Sequence, residues 1–95
     1  MNADQWPFDQ PPNCAVISLR SIVFNGVPIL HVSHDADDHG WQFLDGGDVV
    51  MEDAAVICLD EIVRLDQTIV EVADLPPGWS AWRAAKDAPW QRGPR

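Results

Sequence analysis

The chain has 95 residues, 46% of them hydrophobic, and a formal net charge of −9. This length suits one domain, and the apolar content together with five Trp excludes a disordered chain. The acidic balance disfavours nucleic acids and anionic membranes as partners, because both repel a negative surface. No apolar run approaches the roughly 18 residues of a membrane-spanning helix, and the start does not resemble a signal peptide, so we expect a cytoplasmic protein without membrane contact.

The carboxylates are concentrated in the middle of the chain. Residues 35–74 hold twelve Asp and Glu against the single cation Arg64, whereas residues 75–95 carry a net charge of +3. Such a field speeds encounter with a basic protein, although acidic surfaces also keep small proteins in solution. The only basic group consists of Arg83, Lys86, Arg92 and Arg95, and it lacks the interleaved aromatic residues of a nucleic-acid-binding strand.

Two antiparallel strands are predicted in the first third of the chain. Residues 14–24 are rich in β-branched side chains, Asn25 and Gly26 suit a tight turn, and a second strand follows over 28–33. The alternative for the end of the first segment is a short helical turn over 21–24. The chain reverses at Gly26 in either case.

The middle of the chain predicts two further strands. Trp41 and Phe43 share one face of a strand that starts after Gly40 and ends at Asp45. The continuous apolar run over 55–59 predicts a central strand that is covered on both faces.

A helix and a final strand are predicted next. Asp60 is expected to cap a helix whose apolar positions are spaced three, four and three residues apart. As an alternative to one continuous helix, the helix could end at Asp66, which could cap a second helix. Pro77 and Gly78 fit the centre of a type II turn, which directs residues 79–83 into a strand.

These elements predict an α+β fold in one small domain. We expect a mainly antiparallel sheet of about four to five strands with one or two helices packed on one face. The domain is assigned to residues 14–84. Residues 1–13 are expected to be loosely ordered, and residues 85–95 form a C-terminal tail to which Pro89, Gly93 and Pro94 allow flexibility.

No catalytic motif or metal site is predicted. The segment from His31 to His39 is rich in ligand-type residues, but it lacks the bidentate carboxylate of a calcium loop, and His31 and His34 would point to opposite faces of a strand. His34 and His39 could meet only if the loop curled back. Cys14 and Cys58 have apolar neighbours and are interpreted as structural thiols. We therefore expect no cofactor and no metal, with a metal-dependent enzyme as the third alternative.

Three motifs resemble a family of small bacterial domains of unknown function, part of which is labelled as immunity proteins of polymorphic toxin systems. They are G-W-x-F-x-x-G at 40–46, L-D-x-I-V-x-x-D at 59–66 and D-L-P-x-G-x-x-x-x-R at 74–83. The resemblance covers residues 14–83. The loop over 45–53 is shorter than in many members, and the Trp-containing tail is an addition. The resemblance implies a fold and a partner-binding role, and it supplies no catalytic residues.

The first functional hypothesis is therefore a non-catalytic, immunity-like domain that binds a basic protein such as a toxin. Its acidic face is predicted to consist of Asp35, Asp37, Asp38, Asp45, Asp48, Glu52 and Asp53. Trp82 and Trp90 are added as aromatic contacts, since Trp beside Arg is typical of interface hot spots. The alternative role for these two Trp is to hold the C-terminal tail on the sheet. The second hypothesis is an accessory domain that self-associates through them.

Overall fold

The computed structural model describes residues 6–94. Its strands are β1 (Ala15–Leu19), β2 (His31–His34), β3 (Trp41–Leu44), β4 (Ala54–Cys58), β5 (Trp79–Trp82) and β6 (Gln91–Pro94). The α-helices are α1 (Arg20–Asn25) and α2 (Leu59–Leu65), and two 3-10 helices span Met51–Asp53 and Gln67–Val72. The predicted α+β class is confirmed, and the sheet has six strands where four to five were expected.

The strands form one mixed sheet in the order β4-β1-β3-β2-β5-β6. The pair β1 and β3 is parallel, and the other four pairs are antiparallel. Strands β3 and β2 run through the middle, so His34 lies opposite Trp41 at one end of the sheet and His31 lies opposite Leu44 at the other.

One face of the sheet carries the core. Its strand residues Val16, Phe43, Val32 and Ala81 are almost fully buried, and they belong to one cluster with the apolar side chains of the helices. That helical contribution comes from Ile22, Leu59, Ile62, Val63, Ile69 and Val72. On the opposite face, Ile17 and Trp82 are each 43% exposed and Val56 is 71% exposed. The alternation of exposure along the strands follows from the period-two pleat.

The two strands predicted at the start of the chain are present but are not neighbours in the sheet, and the helical alternative for the end of the first segment is right. Strand β1 ends at Leu19, and α1 follows with its C-cap at Gly26, which has a left-handed φ of 73°. Glycine takes this conformation without the clash of a Cβ atom. Strands β1 and β2 are separated in the sheet by β3. The β-branched residues after Leu19 turn helical because Ile22 enters the core.

The predicted central position of the apolar run after Asp53 is also wrong. Strand β4 lies at the edge of the sheet and pairs only with β1 among the described residues. A short apolar run indicates a strand, but it does not determine the neighbours of that strand. Asp60 does not cap α2 either, because the N-cap position is Cys58, without a side-chain cap.

The predicted break at Asp66 and the predicted turn at Pro77 and Gly78 are confirmed. The helical segment breaks at Asp66, whose carboxylate accepts a hydrogen bond from the Thr68 N–H and starts the 3-10 helix. Gly78 has a φ of 88°, and the Trp79 N–H donates to the Pro76 carbonyl, as in a type II turn. Strand β5 begins directly after this turn.

The ends of the described chain are attached to the domain. Phe8 is buried, with its ring edge-on to Trp41 at 5.1 Å between centroids. Strand β6, in the segment assigned to the tail, pairs antiparallel with β5. Residues 1–5 and Arg95, which belong to the expected loose start and to the predicted basic group, lie outside the described residues.

Candidate functional site

The upper acidic loop, residues 35–40, connects β2 to β3 and holds three of the predicted site residues. The Asp35 N–H donates to the Gly40 carbonyl at 2.8 Å, and Asp38 accepts from the Gly40 N–H at 2.8 Å. The Asp35 carboxylate also accepts from the Gln42 side chain at 3.2 Å. Asp37 is exposed at the tip. Two carboxylates therefore shape the loop, and Asp37 has no hydrogen bond within the described chain.

The lower acidic loop, residues 45–53, connects β3 to β4 and holds the other four. Asp45 accepts from the Gly47 N–H at 3.0 Å, and Asp53 accepts from the Ser21 hydroxyl of α1 at 2.8 Å. Asp48 and Glu52 are exposed, and neither makes a hydrogen bond or ion pair to the described residues. These two carboxylates are therefore free to act on a partner.

Three consecutive apolar residues of the lower acidic loop are also exposed. Val49, Val50 and Met51 are exposed by 50%, 55% and 81%, and they lie between Asp48 and Glu52. An exposed run of this kind inside a charged border resembles the anatomy of an interface, where apolar contacts are surrounded by a polar rim. These three residues were not predicted as site residues, although V-V-M between carboxylates is visible in the sequence.

The seven carboxylates lie in two groups at opposite ends of the sheet. The upper loop leaves β2 at His34 and enters β3 at Trp41, whereas the lower loop leaves β3 at Leu44. The two loops are therefore at opposite ends of a four-residue strand, whose first and last Cα atoms are roughly 10 Å apart at about 3.3 Å per residue. The predicted acidic face is therefore divided between the two ends of the sheet, because closeness in sequence does not place residues at one end of a sheet.

The two tryptophans of the predicted site hold the C-terminal strand. The Trp90 indole donates to the Thr68 carbonyl at 3.3 Å, and the Arg83 guanidinium lies 4.1 Å from the centre of its ring. A Cβ atom built on Gly93 would lie 3.5 Å from the Trp82 ring, so this ring covers the glycine of β6. These contacts fit the alternative role, in which both Trp fix the tail on the sheet.

The histidines do not assemble a metal site. The loop does curl back, and the rings of His34 and His39 are 6.2 Å apart between centroids. His34 is buried, stacked on Trp41, and its Nδ1 lies 2.7 Å from the Leu75 carbonyl oxygen, which it reaches as a donor. Within residues 6–94, no group of three His, Cys, Asp or Glu could hold a metal ion. His34 acts as a packing residue.

A buried ion pair joins Arg83, directly after β5, to Asp66, and it was not predicted from the sequence. The Arg83 guanidinium donates to Asp66 at 2.7 Å and twice to the Ile29 carbonyl, and it also reaches Thr68 and Lys86. Its side chain is only 1% exposed. Arg83 therefore cannot belong to a basic surface group, and its role is to join β5 to the 3-10 helix.

An exposed ion pair fastens β6. Arg92 donates to the Asp74 carboxylate at 2.9 Å and to the Glu71 carbonyl at 3.0 Å. The hydrogen bond from Arg92 holds the pKa of Asp74 below its ordinary value.

The two cysteines, Cys14 and Cys58, are free thiols, each half-buried.

Comparison with known proteins identifies no relative of this chain. No family model, no curated protein and no solved structure matches the chain. The resemblance to the immunity-labelled family therefore stays a prediction. No helix of residues 6–94 is long and apolar enough to cross a membrane.

Proposed function

We propose that the protein is a non-catalytic protein-binding domain, immunity-like in role, whose partner is a basic protein such as a toxin in the cytoplasm. The observation that carries this proposal is the lower acidic loop. There Val49, Val50 and Met51 are exposed between carboxylates that make no internal hydrogen bonds. Apolar side chains of this kind supply affinity, and the surrounding charges steer the encounter.

The distribution of cations supports a basic partner. Residues 35–74 contain one cation, Arg64, and twelve carboxylates, so the surface field there is negative. Of the three cations that the structure describes after residue 74, two are engaged internally, Arg83 with Asp66 and Arg92 with Asp74. A negative field raises the association rate of a positively charged partner and lowers that of nucleic acid.

The partner can be found by affinity capture. Tagged protein would be incubated with native lysate at low and at high salt, and the retained proteins identified by mass spectrometry. We expect one basic protein that is held at low salt and weakened at high salt, because salt screens exposed charges. Capture of no basic protein at either salt concentration would contradict the proposal.

A pair of matched variants tests whether the lower loop is responsible. Asp48→Asn with Glu52→Gln removes its two unbonded carboxylates, and Glu71→Gln with Asp87→Asn removes two exposed carboxylates elsewhere. We expect the first pair to slow association with the captured protein by about threefold or more, with the melting temperature unchanged. Equal slowing by both pairs would mean that only net charge matters.

A further inference from the structure

The two edges of the sheet differ in how well they are protected. Proteins protect exposed edges with charged residues, Pro or bulges, because an unprotected edge pairs with other chains. Strand β6 carries Arg92, Gly93 and Pro94 at one edge. Strand β4 at the other edge reads A-A-V-I-C, without a charge, Pro or Gly. The β4 edge therefore has the composition of a strand that accepts a partner.

The pairing of β4 with β1 shows which backbone groups point outward. The Leu59 N–H donates to the Cys14 carbonyl at 2.8 Å, directly beyond the pair Ala15 and Cys58. Hydrogen-bonded and non-hydrogen-bonded pairs alternate along an antiparallel ladder. The pair of Val56 with Ile17 is therefore of the non-hydrogen-bonded kind, and Val56 directs its N–H and its carbonyl away from β1.

The neighbours of Val56 complete this row of outward groups. By the same alternation Cys58 directs its N–H outward, while its carbonyl is at the N-cap of α2. Ala54 offers its carbonyl, since its N–H already bonds to the Met51 carbonyl. Val56 itself is 71% exposed. The edge thus presents two donors and two acceptors at the spacing of an added strand.

Charge decides which kind of strand can be added. Glu52 and Asp53 lie just before β4, and Asp60 and Glu61 lie just after it. A second copy pairing antiparallel would bring the acidic start of one β4 against the acidic end of the other, and like charges placed opposite each other destabilise a strand pair. An occupant with Lys or Arg at both ends would instead meet carboxylates at both ends.

We propose that β4 is the docking edge for an extended segment of the basic partner, apolar in the middle and cationic at both ends, which joins the sheet as an additional strand. Main-chain hydrogen bonds would provide affinity, and the flanking charges would provide selectivity. This inference rests on the proposed function and specifies where the partner binds.

The test uses a synthetic peptide and the complete chain. The probe is acetyl-Lys-Lys-Val-Thr-Val-Thr-Val-Lys-Lys-amide, and its control has Glu in place of every Lys. Both are titrated into isotope-labelled protein by NMR, with amide exchange followed in parallel. We expect the Lys peptide to shift and protect the Val56 and Cys58 amides, and the Glu peptide to leave them unchanged.

Two variants at one position separate the backbone from the side chain. Val56→Pro deletes the outward N–H, and proline is tolerated in an edge strand where that N–H faces solvent. Val56→Thr keeps the N–H and the strand propensity. We expect Val56→Pro to weaken peptide binding about tenfold and Val56→Thr to change it by less than about twofold, because only Pro removes a main-chain hydrogen bond and obstructs the approach.

The outcomes distinguish failure of the docking edge from failure of the proposed basic partner. Binding of the Lys peptide with shifts confined to other residues, or equal binding by both variants, would overturn the docking edge and leave the basic partner in place. Absence of Lys-peptide binding, together with capture of no basic protein, would overturn both proposals. A dimer in sedimentation that Val56→Pro dissociates would replace the partner segment by a second copy. If a variant fails to fold, the unmodified protein still tests the docking edge. Protection of its Val56 amide from exchange by the Lys peptide supports that edge.

Discussion

At the scale of single residues, the buried Arg83 side chain connects several parts of the fold. All of its nitrogen donors are engaged, and its carboxylate partner Asp66 is itself buried. Removing one member of a buried pair leaves the other charge without compensation. We expect Arg83→Met to lower the free energy of unfolding by about 3–5 kcal/mol, measured by urea denaturation.

The exposed pair of Arg64 and Asp60 is the matched control for that variant. Its atoms are 3.5 Å apart, and the Arg64 side chain is 77% exposed. We expect Arg64→Met to change the free energy of unfolding by about 0.5 kcal/mol or less, because exposed pairs contribute little. Similar losses from both variants would show that the Arg83 network is not specifically stabilising.

The sequence could not reveal the pair of Arg83 and Asp66. Asp66 was correctly predicted as a cap, since capping depends on residues close in sequence. Its second role depends on β5 lying beside the 3-10 helix, which only the tertiary structure determines. For the same reason His34, which has the chemistry of a metal ligand, became a packing residue against Trp41 and Leu75.

At the scale of elements, β6 depends on side chains more than on its own sequence. Q-R-G-P has little strand propensity, and the strand is fixed by Trp82 over Gly93 and by Arg92 on Asp74. This strand was not predicted from the sequence, because tertiary contacts outweigh local propensity here. By contrast, β3 and the type II turn before β5 follow from local signals, and both were predicted.

The pair of Arg92 and Asp74 gives β6 a pH dependence. The folded pKa of Asp74 is lowered by Arg92, so the contribution of this contact is present at neutral pH and is lost as the pH falls through that pKa. We expect faster amide exchange of β6 below about pH 4, after correction for intrinsic exchange rates. Arg92→Gln should show the faster exchange at neutral pH already. If the β6 amides of the unmodified protein exchanged equally slowly at acid and at neutral pH, this role would be contradicted.

At the scale of the whole molecule, the sheet order determines what the acidic residues can do together. The sequence predicted the α+β class and the excess of carboxylates, but β3 places the upper and lower loops at opposite ends of the sheet. Of the two acidic loops, only the lower one combines carboxylates with large exposed apolar side chains and leads directly into the open edge of β4. One end of the molecule therefore has the features of a binding surface, while the other has only charge.

The net charge of −9 predicts that salt affects folding and binding in opposite directions. Carboxylates concentrated on a compact chain repel one another, and salt screens this repulsion. Each ~1 kcal/mol of repulsion removed would raise the melting temperature by about 4–8 °C for a domain of this size. We therefore expect the melting temperature to rise with sodium chloride while the association rate with a basic partner falls. A melting temperature that falls along the same series would mean that the ion pairs of Arg83, Arg64 and Arg92 outweigh the repulsion among the acidic loops.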